Sequence, residues 1–315
     1  MNAASIDSRS PEVVSATRER VPTIALALLL MGMSGIAACA GALQVWAGTP
    51  VPATQGKLSP REIETILSYP PQRQAEELLQ AAVNHYEGAP ELIQAHVDEW
   101  RGKIQWSQRL FDLDLTARYC NDLRVRAATT ELMLAAYNYP KTPDSVDRLV
   151  KMLDEQPDFR SFELFTLAML GNRGVETTRV IDVLEQYASE ADEKTQYWAV
   201  EGIAIVGTPD TIPILLRFFH DGRTRTQRER AGCGLAKAGA YTQQERMTAV
   251  PALVEFVERN DVDAETHRWH FQAMREITNV DLPDDPKAWR KWLDAGGISK
   301  PYGASHEWWA VAGNS

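Results

Sequence analysis

Two histidines at helical spacing are the residues best suited to chemistry in this sequence. His267 and His270 are three positions apart, and Asp261, Asp263 and Glu265 lie just upstream. Two imidazoles on one face of a helix can bind a single metal ion. The same spacing also fits an ordinary helix that begins after Asp263 as its N-cap, half-buries His270 and exposes His267. Both interpretations stay open from the sequence alone.

Other signatures of catalysis are missing from the sequence. We find no glycine-rich phosphate loop, no nucleophile elbow and no paired metal-binding cysteines. The chain is therefore predicted to be a non-enzymatic protein without a cofactor. The alternative is a metal- or cofactor-dependent enzyme, or a cofactor-binding protein, with its site at His267 and His270.

A cluster of arginines precedes and enters one predicted helix. Four cations near a helix N-terminus oppose the helix dipole, and a capping box formed by Thr226 and Glu229 would offset part of that cost. The cluster fits either a local contact with an anion or a lipid headgroup, or an exposed basic loop. Its members are Arg223, Arg225, Arg228 and Arg230.

The overall charge argues against nucleic acid as a partner. The formal net charge is −10, and residues 57–315 carry all of it because the charges before residue 21 cancel. An acidic body is repelled by phosphate backbones, so nucleic-acid binding is not expected.

One uncharged segment is long enough to cross a membrane. Residues 21–48 contain no charged side chain, and the most apolar part, residues 24–46, would reach about 35 Å as a helix. Arg18 and Arg20 immediately before it favour a cytoplasmic amino end and an extracytoplasmic body, which in a bacterium means the periplasm.

The type of anchor stays open. Ile36-Ala37-Ala38-Cys39 resembles the lipobox of bacterial lipoproteins, in which the cysteine is lipidated after the preceding residues are removed. The residues after Cys39 stay apolar, however, as in an uncleaved single span. The protein is therefore expected to be a single-pass membrane protein or a lipoprotein.

The rest of the chain shows only helical signals. Apolar residues recur at helical spacing, and no alternating strand pattern bounded by tight turns occurs, which predicts an all-α body. Cys120 and Cys233 are predicted to be buried and not joined to each other. The predicted divisions are a tail (1–20), the anchor (21–48), a linker (49–58), a helical cap (59–121), repeats (122–295) and a C-terminal tail (296–315).

From about residue 122 the sequence repeats. A short apolar pattern ending in Asn or Gly recurs with spacings of 33, 36 and 32 residues, and the Asn or Gly falls where a helix would end in the left-handed conformation. The four copies end at Asn138, Gly171, Gly207 and Gly239.

These repeats resemble HEAT repeats, the helix pairs of armadillo-type α-solenoids. The stretch Ala249-Val250-Pro251-Ala252-Leu253-Val254 is similar to a common second-helix sequence, and residues 228–292 resemble bacterial HEAT-repeat proteins of unassigned function. The resemblance implies about five helix hairpins stacked into a solenoid, preceded by capping helices and an N-terminal transmembrane helix. It also implies a scaffold for protein–protein interaction, with the second helices lining the concave side.

The two helices of each predicted pair differ in charge. The first helices carry a summed charge of +4, and the second helices with their flanks carry −12. One hypothesis is an acidic concave groove that holds a basic segment of a partner protein. The other is that these acidic residues only solvate an exposed face. The groove candidates are Asp147, Asp182, Glu185, Glu255 and Glu258.

Overall fold

The computed structural model describes residues 56–118, 120, 122–190 and 192–302. Within these residues the regular elements are helices, apart from one isolated β-bridge between Lys57 and Glu87, so the all-α prediction is confirmed for this part of the chain. No helix in these ranges has the length and apolarity to cross a bilayer. The predicted span 21–48, with Cys39, lies outside the described residues.

Four helices form the N-terminal part. Ser59 caps the first of them with a capping box to Glu62, as the sequence indicates. Their apolar faces enclose a core that also takes in Leu132 and Ala135 from the next helix, so this part is continuous with the repeats. These helices are α1 (Pro60–Leu67), α2 (Pro71–Val83), α3 (Ala89–Trp100) and α4 (Gln108–Ala117).

Five helix pairs follow, in agreement with the predicted number of hairpins. The first helices are α5 (Leu123–Ala136), α7 (Arg160–Asn172), α9 (Glu193–Val206), α11 (Arg225–Cys233) and α14 (Ala264–Thr278). The second helices are α6 (Pro143–Glu155), α8 (Thr177–Ala188), α10 (Thr211–Asp221), α13 (Val250–Arg259) and α15 (Pro286–Asp294). A short helix, α12 (Gln243–Met247), precedes α13.

Side-chain caps explain where several of these helices begin. Asp263 accepts hydrogen bonds from the backbone N–H groups of Glu265 and Thr266, so its predicted role as N-cap of α14 is confirmed. The capping box of α11 was predicted two residues too late. It joins Thr224 and Gln227, not Thr226 and Glu229, because the extended backbone at Thr224 lets the helix start at Arg225.

The predicted left-handed helix ends occur at two of the four repeat positions. Asn138 and Gly207 have φ angles of 55° and 64°. Gly171 instead lies inside α7, and Gly239 is extended after a five-residue π-helical turn, Gly234–Ala238. At Gly171 the small residue is required by packing, because a Cβ there would lie 2.8 Å from Val180 Cγ1.

Close packing of neighbouring first helices also depends on Gly234. A Cβ at this position would lie 2.7 Å from the Cβ of Ala204 on α9, closer than two carbon atoms can approach without displacement. The π-helical turn therefore packs directly against α9, the first helix of the preceding pair.

We expect Gly234→Leu to lower the free energy of unfolding by about 1–3 kcal/mol, because added methylenes in a packed seam force shifts of both helices. Thermal melting measures the loss. Ala264→Leu, at an exposed position in the first turn of α14, is the matched control and should melt like the wild type. An unchanged melting curve for Gly234→Leu would refute close packing at this seam.

The row of helix pairs curls back on itself. Arg126, near the start of α5, donates to the carbonyl oxygens of Lys237 (3.1 Å) and Gly239 (2.7 Å), which lie at the end of the fourth first helix. Arg246 donates to the same two carbonyls from the other side, at 3.0 Å and 2.7 Å. A bond between the first and fourth pairs requires a tightly curved row.

The first helices lie on the inner side of this curve. Each of them packs directly on the next, and the ring-closing bond of Arg126 joins two members of this row. Second helices such as α6 and α8 are farther apart and are bridged by long arginine side chains. The prediction that the second helices line the concave side is therefore wrong.

Candidate protein-binding surface

The predicted groove residues lie on the second helices, and three of the five form ion pairs between successive pairs. Each acidic residue contacts an arginine 32 positions later, one repeat further along the stack. The bridges are Asp147–Arg179 (2.7 Å), Glu185–Arg217 (2.5 Å) and Glu258–Arg290 (2.5 Å). We call these bridges the ion-pair ladder.

The remaining two candidates, Asp182 and Glu255, are exposed on the same helices and have no ion-pair partner among the described residues. Most of the acidic face is therefore part of the fold, although each exposed bridge contributes only about 0–1 kcal/mol. Because the second helices lie on the outer side of the curve, the predicted acidic residues do not form a concave groove.

The arginine cluster bonds to neighbouring repeats. Arg225 forms a bidentate pair with Glu265 on α14, with both N–O distances at 3.0 Å. Arg228 bonds to Asp263 (3.2 Å) and to the hydroxyl of Thr266 (2.9 Å). These bonds fasten the fourth pair to the fifth.

The other two arginines of the cluster point toward earlier repeats. Arg223 donates to the carbonyl of Ser189 at 3.2 Å. Arg230 donates to the hydroxyl of Tyr197 at 3.0 Å and lies 3.6 Å from Glu201. Oxygen atoms of this chain thus accept a hydrogen bond from each of the four arginines, which favours a structural role over an anion site.

The two candidate metal ligands do not converge. The Nε2 of His267 lies 3.1 Å from the carbonyl oxygen of Val257. His270 is fully buried, more deeply than predicted, and its ring packs against Phe219 and Phe256 at centroid distances of 4.5 Å and 5.4 Å. In the described part of the chain, no three His, Cys, Asp or Glu residues are arranged to hold a metal ion.

Burial decides the protonation of His270. Desolvation, followed by the neighbouring His220 and His267, lowers its pKa to about 3. Neither ring nitrogen has a hydrogen-bond partner among the described residues. The imidazole is therefore a neutral core side chain at physiological pH.

The cysteines also differ from the prediction in part. Cys120 is buried as expected, whereas Cys233 on α11 is half-buried, and no disulfide joins the two. Cys233 is only half-buried because it lies on the side of the first helix that faces away from the second helices.

That side of the first helices forms a half-open surface on the inside of the curve. Helical periodicity places its side chains opposite the glycines and alanines that pack against the second helices. They are half-buried where the structure describes them. We call it the first-helix face, and define it by Tyr197, Glu201, Cys233, Lys237, Trp269 and Glu276.

The polar groups of the first-helix face are held in place by ion pairs. Lys237 Nζ lies 2.6 Å from Glu276 Oε1, and Arg230, almost fully buried beside the face, orients Glu201 and Tyr197. Arg225 also stacks over the ring of Trp269 at 5.2 Å. The rings and charges on this face are therefore positioned before any partner arrives.

The chemistry of this face is that of a binding surface. Tyrosine, tryptophan and arginine are the residues that contribute most at protein interfaces, because they bury large apolar area while keeping polar contacts. Neither Tyr197 nor Glu201 was among the residues that the sequence pointed to. Tyr197 and Glu201 are four residues apart, on the side of the helix opposite Ala199 and Ile203, and this spacing could have identified them as neighbours on one face.

Comparison with known proteins supports the architecture. The family model described as HEAT repeats matches residues 146–236, from the second helix of the first pair to the first helix of the fourth. No significant match was found among curated proteins or among solved structures. Residues 146–236 are therefore similar to HEAT repeats, and they lie within an all-α stack of helix pairs that extends beyond the matched residues on both sides.

Proposed function

We propose that this protein is a membrane-tethered HEAT-repeat scaffold that binds a partner protein on its first-helix face. HEAT repeats commonly serve as scaffolds for protein interaction. The observation that carries the proposal is the pair of half-exposed aromatic rings, Tyr197 and Trp269, held on the inner side of the curve by Arg230 and Arg225.

A bound segment would gain most from these rings. A half-exposed aromatic side chain that already has fixed neighbours loses little conformational entropy when a partner covers it. Lys237 and Glu276 at the edge of the face pair with each other and offer one charge of each sign to polar groups of the partner. The partner is thus expected to present apolar side chains flanked by polar ones.

The acidic outer face is the second candidate surface. Asp182 and Glu255 are exposed and lie outside the ion-pair ladder, so they are the acidic groups that a basic partner would contact on this side. The two surfaces lie on opposite sides of the helix pairs, and substitutions can therefore separate them.

The tether proposal rests on the uncharged residues 24–46 and on the Arg18–Arg20 flank, which favours an extracytoplasmic body. Mass spectrometry of the native amino terminus distinguishes the two anchors. An intact N-terminal segment indicates a transmembrane helix, and a chain that begins at a diacylated Cys39 indicates a lipoprotein.

The binding proposal is tested with the full-length protein in its native membrane. Partners of the wild type are captured after cross-linking and compared with those of Tyr197→Ala and Trp269→Ala. We expect both variants to lose the specific partner by about tenfold or more, since truncating a central aromatic residue typically costs over 1 kcal/mol and often 2 or more.

Asp182→Lys and Glu255→Lys are the matched controls on the outer face. They should retain the partner, and thermal melting should show that all four variants are folded. If only the outer-face variants lose the partner, the acidic surface binds it. If every variant retains it, neither surface does.

A further inference from the structure

The described chain ends beside the first-helix face. Lys300 N donates to the carbonyl of Thr278 at 2.8 Å, and Asn279 Nδ2 donates to the carbonyl of Pro301 at 2.9 Å. The hydroxyl of Tyr302 donates to the carbonyls of Glu276 (2.8 Å) and Ile277 (3.1 Å). These bonds fasten residues 300–302 to the end of α14.

Glu276 connects this anchor to the first-helix face. Its carboxylate pairs with Lys237 of that face, and its carbonyl accepts from Tyr302. Tyr302, the last residue that the structure describes, is therefore bonded to a residue at the edge of the face.

The segment that follows contains a short apolar and aromatic stretch. Residues 303–315 read GASHEWWAVAGNS, with the Trp308–Trp309 pair followed by Ala310, Val311 and Ala312. Two adjacent tryptophans in water leave a large apolar area uncovered, and each ring can bury roughly 150–250 Å² against a suitable surface. Glu307 is the one acidic side chain of this segment.

The reach of the segment matches the width of the face. Six residues from Tyr302 to Trp308 extend up to about 20 Å. The face crosses α14, α11 and α9, and two interhelical spacings of 8–10 Å add up to about the same length. Trp308 and Trp309 can therefore lie against Trp269 or Tyr197 without displacing the Tyr302 anchor.

We propose that the chain's own segment 303–315 docks on the first-helix face and covers it in the absence of a partner. The tryptophan pair contacts the rings of the face, and Glu307 lies on the side of Lys237. The face is then occupied within the molecule, and a partner must displace the segment to bind. The regulatory part of this inference rests on the proposed function, whereas the docking itself does not.

The docking is tested by disulfide trapping in the full-length protein. Ala310→Cys places a thiol after the tryptophan pair, and Cys233 on α11 supplies the second thiol on the face. We expect oxidation to give an intramolecular 233–310 disulfide, identified by peptide mass spectrometry, because tethering raises the effective thiol concentration to the millimolar range when the tether can span the two sites.

The matched control moves the second thiol to the outer face. In Cys233→Ser/Glu255→Cys/Ala310→Cys the tether is unchanged, and its cross-link should form at least about tenfold more slowly, as expected when the two sites cannot easily meet. Equal rates in the two proteins would overturn the docking. A 233–310 disulfide found only between two chains would also overturn it, in favour of exchange with a second copy.

A second variant tests the regulatory part separately. Trp308→Ala/Trp309→Ala should increase partner capture several-fold while the melting temperature of the helical body stays within a few degrees. If the intramolecular disulfide forms but the double variant captures no more partner, docking stands and control of binding is refuted. Loss of the partner in Tyr197→Ala without any disulfide trapping would support the binding surface and refute docking.

Discussion

The protein is expected to lose stability steeply as the pH falls below 6.5, and one imidazole accounts for most of that loss. His270 is fully buried among Phe219, Phe256 and His220, and burial lowers its pKa to about 3. In the unfolded chain the same ring titrates near its ordinary value of 6.5.

The direction of the effect follows from proton binding. Between pH 6.5 and pH 3 the unfolded chain binds a proton that the folded chain refuses, so acid favours unfolding. Each pH unit in this window costs about 1.4 kcal/mol, which gives about 2 kcal/mol at pH 5 and about 4–5 kcal/mol at pH 3. Above pH 7 the contribution of His270 is complete and constant.

His270→Phe removes the titrating group and keeps an aromatic ring in the stack. Urea unfolding at pH 7 and pH 5 should show that the variant loses about 2 kcal/mol less than the wild type between the two conditions. At pH 7 the variant should be at least as stable, because it has no ring nitrogen to bury without a partner.

A half-exposed histidine provides the control for this measurement. His96 on α3 lies 3.6 Å from Glu99 at the surface, and His96→Gln should leave the difference between pH 7 and pH 5 almost unchanged. If His270→Phe retains the full acid sensitivity of the wild type, another group causes it, and His270 is not the neutral core residue that its burial indicates.

Local signals in the sequence were sufficient to predict where the helices begin. Ser59, Asp263 and Asp285 each cap a helix where the sequence indicates one, because an N-cap depends only on residues two or three positions away. The five helix pairs follow from the repeat spacing for the same reason. Errors at this level were small, such as the capping box at Thr224 instead of Thr226.

The curvature of the stack could not be predicted from local sequence signals. Which row of helices lies inside depends on how closely each row packs along its whole length. The closing contact joins Arg126 to carbonyls 111–113 residues further along the chain. No pattern within one repeat encodes such a contact. The acidic second helices therefore lie on the outer side of the curve, whereas the resemblance implied the inner side.

The ion pairs between successive second helices could partly be predicted from the sequence. The 32-residue interval between Asp147 and Arg179 recurs at Glu185 and Arg217, so the ion-pair ladder could have been proposed from the repeat period alone. The full burial of His270 and Glu163 could not be predicted in this way. Both lie on first helices, and residues distant in the sequence, such as Phe219 and Phe256 around His270, cover them.

The variant Glu163→Gln is expected to stabilise the protein at alkaline pH. Glu163 on α7 is fully buried, and neither carboxylate oxygen has a hydrogen-bond partner among the described residues. Burial, opposed only by the more distant charge of Arg160, raises the pKa of Glu163 from 4.5 to about 7. A glutamine keeps the shape of the protonated side chain and carries no charge at any pH.

The contribution of Glu163 to the free energy of unfolding changes with pH in the opposite direction to that of His270. Between pH 4.5 and pH 7 the folded chain holds a proton that the unfolded chain releases, so the stabilisation is complete below pH 4.5 and is lost as the pH rises through 7. The loss is about 3 kcal/mol at pH 8. Glu163→Gln should therefore exceed the wild type by about that amount at pH 8 and match it at pH 4.

Glu131 on the neighbouring helix α5 is the matched control for this variant. It is equally buried, but its carboxylate lies 2.7 Å from Arg173 Nε and 2.8 Å from Lys141 Nζ. Glu131→Gln removes the negative charge from two ion pairs and should destabilise the protein at pH 8. If urea unfolding at pH 8 shows that both glutamine variants destabilise, Glu163 is ionised and paired in solution. Opposite signs for the two variants are what an isolated, protonated Glu163 requires.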